Sequence, residues 1–477
     1  MKRLLAILLL LLPATAYSAT DTRYLAFQIF TSGAERNGAT NFPPLQGEVG
    51  DIVQGIRDKI GTAGNGERHA GFIVGPLSFN VDEEHIHKLI GDSFDIALRT
   101  DLAVGFHVDD MMFWNRLAFL NKPENLEWTG WDGTPNTGRR LDWSSKPTKI
   151  EPQLCLNARA VRQAVAARAQ FIGKAVAEGV KKLAQAGKPE LFIGVIAGWE
   201  TMIGQDFDTG APLGYCALTN AGFSAAHPPA DMNAARNDVI RDFISFWAQN
   251  LRAAGVPADK IYSHAAFTSQ RLRRMSAQMN PPKPGAMDNV PDWTGFAFAD
   301  GVHPGLSTYP LPDEIAEISA EMAKHGDAAW ASSEGAAIDP GAAEQGGGGV
   351  GMEIYLGNLF NHGARFVNVY GWNVGPPDNG FRKTAEAPGA IAAYQKFLRG
   401  EKLDEKPYSA DGLPSDALLA KIHRVQTEAP AYAQAHGPGP LPQLSQQLEA
   451  HLKNRELKEA EQTADEMLKI VDAPPSR

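Results

Sequence analysis

Short apolar runs alternate along this chain with stretches whose apolar residues recur at helix spacing. Runs 23–31, 69–79, 102–110, 191–200, 260–267, 296–302, 328–334 and 365–373 read as strands. Segments 48–60, 82–100, 157–187, 232–255, 311–326, 351–363 and 387–400 read as helices between them, with a less periodic stretch in 268–279. Eight β-then-α units predict an α/β fold, the (β/α)8 TIM barrel, over residues 21–400. The rival, a doubly wound open sheet, needs only six such strands.

The connections agree with a barrel. Those entering a strand are short and marked by Gly or Pro: "AGKPE", "AGVPADK", "HGD", "HGA". Glycine there suits the left-handed residue that ends a helix. Those leaving the third and fourth strands are long, running over 111–156 and 201–231. Length gathered at one end of the strands is what a barrel with its site on the C-terminal face requires. After Gly400 a linker-like stretch and a charged, helix-spaced segment predict a short C-terminal helical extension over 401–477, read as a helical hairpin.

The first residues, "MKRLLAILLLLLPATAYSAT", place Lys2 and Arg3 before a short apolar run and then small residues. That is the layout of a secretory signal peptide over 1–18, so a secreted or periplasmic protein is expected. No later segment holds enough consecutive apolar residues to span a bilayer. The net charge of −10 argues against nucleic acid as a partner, and nothing in the chain implies a cofactor. Oligomeric state is left open. The two cysteines, Cys155 and Cys216, pair as a disulfide in an oxidising compartment or stay two buried thiols.

Two strands finish on a carboxylate: "LFIGVIAGWE" on Glu200 and "AAWASSE" on Glu334. A side chain at the C-terminal end of a barrel strand points into the mouth. The fourth and seventh strands lie across that mouth, so the two carboxyls could face one bond. Retaining glycoside hydrolysis needs such a pair about 5 Å apart, one as nucleophile and one as acid and then base. Trp199 beside Glu200 should raise the proton affinity of that carboxyl. The plainer reading is two unrelated strand-end carboxylates.

This arrangement resembles the clan A glycoside hydrolases, on "GWE", on "SSEG" and on the barrel over about residues 21–400. The resemblance implies Glu200 as acid/base and Glu334 as nucleophile, a carbohydrate substrate and no metal. It further implies that Trp372 of "VYGWN", with Tyr370 and Asn373 beside it, is a platform for the sugar. One residue departs: Trp199 stands where these enzymes commonly carry Asn before the acid/base.

Strand three ends "GFHVDDMMFW", offering His107, Asp109, Asp110 and Trp114 as further sugar contacts, with Trp199 opposite. Either aspartate could instead cap its loop, and a metal-assisted hydrolase centred on Asp109 and Asp110 is one rival reading. A carbohydrate-binding barrel without catalysis is another. The segment after the sixth strand holds Asp300, His303 and Tyr309; the resemblance implies a tyrosine from this loop near the nucleophile, without fixing it as Tyr309, and His303 reads as structural rather than catalytic. "EQGGGGVG" contains G-x-G-x-x-G but follows no strand, which excludes a dinucleotide fingerprint.

Overall fold

The computed structural model describes residues 22–30, 48–62, 64, 67–109, 111–141, 148–267, 292–309, 314–326, 328–338, 343, 351–405, 415–454 and 456–473. The signal-peptide stretch, Asp110, the helix expected in 268–279 and most of the glycine-rich segment lie outside these residues.

Among the described residues ten strands form, in chain order β1 (Arg23–Ile29), β2 (Arg68–Val74), β3 (Ala103–Val108), β4 (Arg139–Leu141), β5 (Thr148–Ile150), β6 (Phe192–Ala197), β7 (Ile261–Ser263), β8 (Gly305–Thr308), β9 (Trp330–Gly335) and β10 (Ala364–Val369). Eight of them make one parallel sheet in the order β7-β6-β3-β2-β1-β10-β9-β8. Parallel bridges from Tyr262 to His303 and from Ala265 to Leu306 join its two ends. The sheet is thereby a (β/α)8 barrel, as the alternation predicts. Gly305 lets the seam close, because a Cβ there would sit 1.9 Å from the Ser263 carbonyl oxygen.

Strand residues alternate between helix layer and barrel interior. Phe27, Phe72 and Phe106 point outward and are fully buried beneath helices. Helices α1 (Val49–Ile60), α2 (Glu83–Thr100), α3 (Arg159–Gln185), α4 (Tyr215–Asn220), α5 (Met232–Ala253), α6 (Glu314–Lys324), α7 (Met352–Phe360), α8 (Gly380–Glu386) and α9 (Pro388–Leu398) accompany the strands. Asp82 and Asp231 cap α2 and α5 by accepting from backbone N–H groups. The predicted terminators appear at Gly187 and Gly255, with φ of +71° and +106°.

Three readings change. The sixth strand is not 296–302 but β8, a few residues later. Phe296, Ala297 and Ala299 are buried as expected of a strand. Asp292 nevertheless caps a 3-10 turn at Trp293–Gly295, and Gly301 at φ +84° breaks extension, so the run packs as an anchored loop. The third loop carries its own hairpin, β4 with β5. Among its described residues the C-terminal extension holds three helices rather than two: α10 (Asp416–His436), α11 (Leu441–Asn454) and α12 (Leu457–Val471). Leu418, Ile422, Leu448 and Met467 give these helices an apolar core of their own.

Candidate active site

Two irregularities in the backbone aim the strand-end glutamates. β6 stops at Ala197, and Gly198 then takes φ +105° while Glu200 takes φ +48°, a left-handed conformation costly for a residue with a Cβ. β9 carries a bulge: Leu306 pairs with Ser332, but the next β8 residue, Ser307, pairs with Glu334. Without that extra residue Glu334 would share the face of Ser332, whose hydroxyl meets Thr308 at the helix layer beside Tyr355 of α7. The bulge turns it to the inner face.

One short segment, β8 and the residue after it, touches both carboxyls. Ser307 Oγ is hydrogen-bonded to Glu200 Oε1, and two residues on, Tyr309 donates from its hydroxyl to Glu334 Oε1 at 2.9 Å. Neighbouring strands lie about 4.8 Å apart. The Glu200 carboxyl therefore reaches across the mouth to the strand next to Glu334.

Glu334 is 6% exposed, and its Oε2 has no partner among the described residues. Burial, and then the charge of Glu200, pushes its proton affinity up to about 8, while the Tyr309 hydrogen bond pulls it down. This raised carboxyl is Glu334, for which the sequence predicts no such shift, and burial is its main cause. Tyr309 and Tyr370 are themselves held well above the ordinary tyrosine range by burial and by the Glu334 charge, so both stay phenols.

The other candidate contacts are distributed differently from the expectation. Trp372 is 3% exposed and turned to the helix layer, 4.9 Å from the Phe27 ring, beside Tyr394 of α9 and under Lys59 of α1. It is not a platform at the mouth. Asn373, at φ +55°, donates its backbone N–H to Glu386 of α8, helping to make the turn that carries Trp372 outward. Tyr370 stays near Glu334, its ring edge-on to Phe30 and Phe381.

Trp199 is 2% exposed and stacks on His107 and Phe30, forming the floor under the Glu200 turn rather than a sugar contact. His107 is wholly inside the barrel. Asp109 is also fully buried, its oxygens accepting from the N–H groups of Met112 and Phe113, so it holds its own loop. Trp114 is buried, donating to the Pro152 carbonyl. These placements remove the two-aspartate metal reading as far as Asp109 is concerned, and among the described residues no cluster of three His, Cys, Asp or Glu could hold a metal ion.

Cys155 and Cys216 are buried thiols here, without the expected disulfide, but they converge: Asn220 Nδ2 donates to both sulfurs, at 3.3 and 3.9 Å. Beneath them Glu127, which the sequence reading passed over, accepts from the N–H groups of Cys216 and Ala217 at the start of α4. Burial pushes its carboxyl up to about 7.

The sequence does not single out Ser307 or His264 as parts of the site, and it offers Tyr309 without placing it. Tyr309 was within reach: in "GLSTY", Ser307 and Tyr309 alternate with Leu306 and Thr308 between two prolines. A strand placed there puts the tyrosine at its end.

No protein-family model and no curated protein matches the chain. Solved structures do resemble it. A β-galactosidase from the psychrophilic Marinomonas ef1 matches with 10% identity and a TM-score of 0.42 over 79% of this chain, which spans 59% of that one. A GH5-4 broad specificity endoglucanase from Clostridum cellulovorans matches with 8% identity and a TM-score of 0.39, covering 80% of this chain and 95% of that one. A GH5 xyloglucan-specific β-1,4-glucanase from a ruminal metagenomic library gives 8% identity and a TM-score of 0.41, covering 82% and 97%. Likeness at this level transfers no activity. Among the described residues no helix is long and apolar enough to cross a membrane.

Proposed function

We propose that this protein is a retaining glycoside hydrolase acting on a β-linked sugar. One observation carries the reading: Ser307 of β8 and Tyr309, the residue just past that strand's end, bind the two carboxyls at the ends of the fourth and seventh barrel strands. In this scheme Glu334 attacks the anomeric carbon while Glu200 protonates the leaving oxygen. Glu200 then deprotonates the water that releases the sugar from Glu334. The partner-free Oε2 of Glu334 is the atom available for attack, and Tyr309 steadies the other oxygen. A panel of aryl glycosides followed by proton NMR tests this: the first-formed sugar should keep the anomeric configuration of the substrate. Inverted product, or sugar binding with no turnover of any glycoside, would remove the proposal.

Tyr309→Phe gives a measurable pH effect. Its hydroxyl favours the ionised form of Glu334, so losing it raises the proton affinity of that carboxyl further. The acid limb of kcat/KM should move to higher pH by about one unit, and activity on that limb should fall about tenfold. An unmoved limb would show that Tyr309 does not serve the nucleophile.

Export by the N-terminal segment is part of the same proposal, and in an oxidising compartment Cys155 and Cys216 would pair. Thiol titration of the denatured, exported chain should then find no free thiol. Two titratable thiols would contradict it.

A further inference from the structure

We propose that His107 and His264, inside the barrel, are positioning residues whose ring tautomers are coupled to the protonation state of Glu200 through Ser307. The inference deepens the glycosidase reading and rests on it for the role of Glu200.

The chain of contacts begins at two side-chain amides whose orientation is set by backbone oxygens. Asn368 Nδ2 donates to the Ser333 carbonyl at 2.8 Å and to Gln28 Oε1 at 2.7 Å. Gln28 Nε2 donates to the Gly75 carbonyl at 3.3 Å. A carbonyl only accepts, so neither amide can be turned over without opposing oxygen to oxygen. Gln28 Oε1 therefore faces His107 Nδ1, 3.3 Å away, as an acceptor. On the other side of the ring, His107 Nε2 lies 3.0 Å from the Gly198 carbonyl and 3.0 Å from His264 Nδ1. His264 Nε2 lies 3.0 Å from Ser307 Oγ, which in turn meets Glu200 Oε1.

Burial keeps both rings neutral: it drives His107 down to about 3 and His264 well below the ordinary histidine value. A neutral imidazole has one N–H and one bare nitrogen, yet His107 stands between two oxygens that only accept. It can satisfy Gln28 or Gly198, one at a time.

Each choice dictates the rest of the file. With the proton on Nδ1, toward Gln28, His107 Nε2 accepts from His264 Nδ1–H. His264 Nε2 then accepts from the Ser307 hydroxyl, and Ser307 Oγ can only accept from a protonated Glu200. With the proton on Nε2, toward Gly198 and His264, His264 Nδ1 accepts and its Nε2–H donates to Ser307. The Ser307 hydroxyl then donates to an ionised Glu200. The two arrangements differ by one proton, that of Glu200, and each leaves one oxygen of the same kind opposed at His107. The interior is thus a two-state element of nearly matched halves, and Glu200 keeps its hydrogen bond in both. An acid that becomes a base within one cycle needs that property.

Among the described residues, the titratable groups facing the chain are Glu334 and Tyr309 at its Glu200 end; Trp199, Gln28 and Asn368, which pack on His107 or continue the chain, carry no charge.

Histidine 15N NMR on the full chain tests this without requiring turnover. In the wild type, both rings should exchange the Nδ1–H signature for the Nε2–H signature together as the pH rises through the titration of Glu200. Ser307→Ala, which cuts the file outside the deep interior, should abolish that shared shift while both rings stay neutral. With a poor aryl leaving group the same variant should lose about tenfold in kcat/KM, and with a dinitrophenyl leaving group, whose first step needs no proton, almost nothing. Tautomers that ignore pH in the wild type, or a shared shift that survives in Ser307→Ala, would overturn the coupling. Absence of all glycoside turnover beside an intact shared shift would instead sink the glycosidase reading and leave the coupling standing.

Discussion

Glu334→Gln should lower kcat/KM toward any aryl glycoside by at least about 10⁴-fold, since the covalent route loses its nucleophile. The loss should be independent of the leaving group, because attack fails however easily the aryl group departs. Glu334→Gly opens a cavity where the carboxyl stood, next to the Tyr309 hydroxyl. Azide entering it should restore turnover of a reactive aryl glycoside and give a glycosyl azide of inverted configuration. The Gln variant should also fold at least as well as the wild type. The carboxyl is raised to about 8 when folded, above its ordinary value of 4.5, so the folded state binds the extra proton. Its contribution to stability is full below 4.5 and lost as the pH climbs through 8. Gln, neutral throughout, avoids that loss. A Gln variant that is both unfolded and inactive would point to a structural Glu334 and leave no special place for azide.

Glu200→Gln should behave in another way. For a glycoside with a poor leaving group, kcat should fall by on the order of 10²–10⁴, the usual worth of acid–base assistance. For a dinitrophenyl glycoside the first step needs no proton, so the second becomes limiting and the glycosyl-enzyme accumulates, visible as a burst. Azide should speed that second step and give product of retained configuration, opposite to its effect on the Glu334 variant. The contrast between the two azide products assigns the roles. Equal sensitivity to leaving group in both variants would leave them unassigned and count against the double displacement.

The architecture was legible because its signals are local and repeated. Strands read as apolar runs, helices as amphipathic stretches, and Gly187 and Gly255 appeared where left-handed terminators were expected. What stayed hidden depended on how strands are registered. The bulge that faces Glu334 inward is one extra residue in β9, and nothing in "WASSEG" distinguishes it from regular alternation. The same blindness misplaced the platform: Trp372 looks like a mouth residue from its position in the chain, yet Gly371 at φ +116° and Asn373 at φ +55° turn it to the helices. β8 is only Gly305–Thr308, with a single large apolar residue, Leu306, so the apolar run of the preceding loop masked it, and with it Ser307 and the placement of Tyr309. Of the polar residues inside apolar strands, His107 reads as a sugar contact and Gln28 and Asn368 draw no reading; the closed barrel brings the three into contact with one another.

The most direct measurement of the account is covalent capture. A 2-deoxy-2-fluoro glycoside with a dinitrophenyl leaving group, matched to whichever sugar the enzyme turns over, slows both steps and strands the intermediate. Mass spectrometry of the digested protein should find the fluorosugar esterified to Glu334 and to no other residue. A label on Glu200, or release of sugar with no adduct at any stage, would contradict the assignment of Glu334 as the attacking carboxylate.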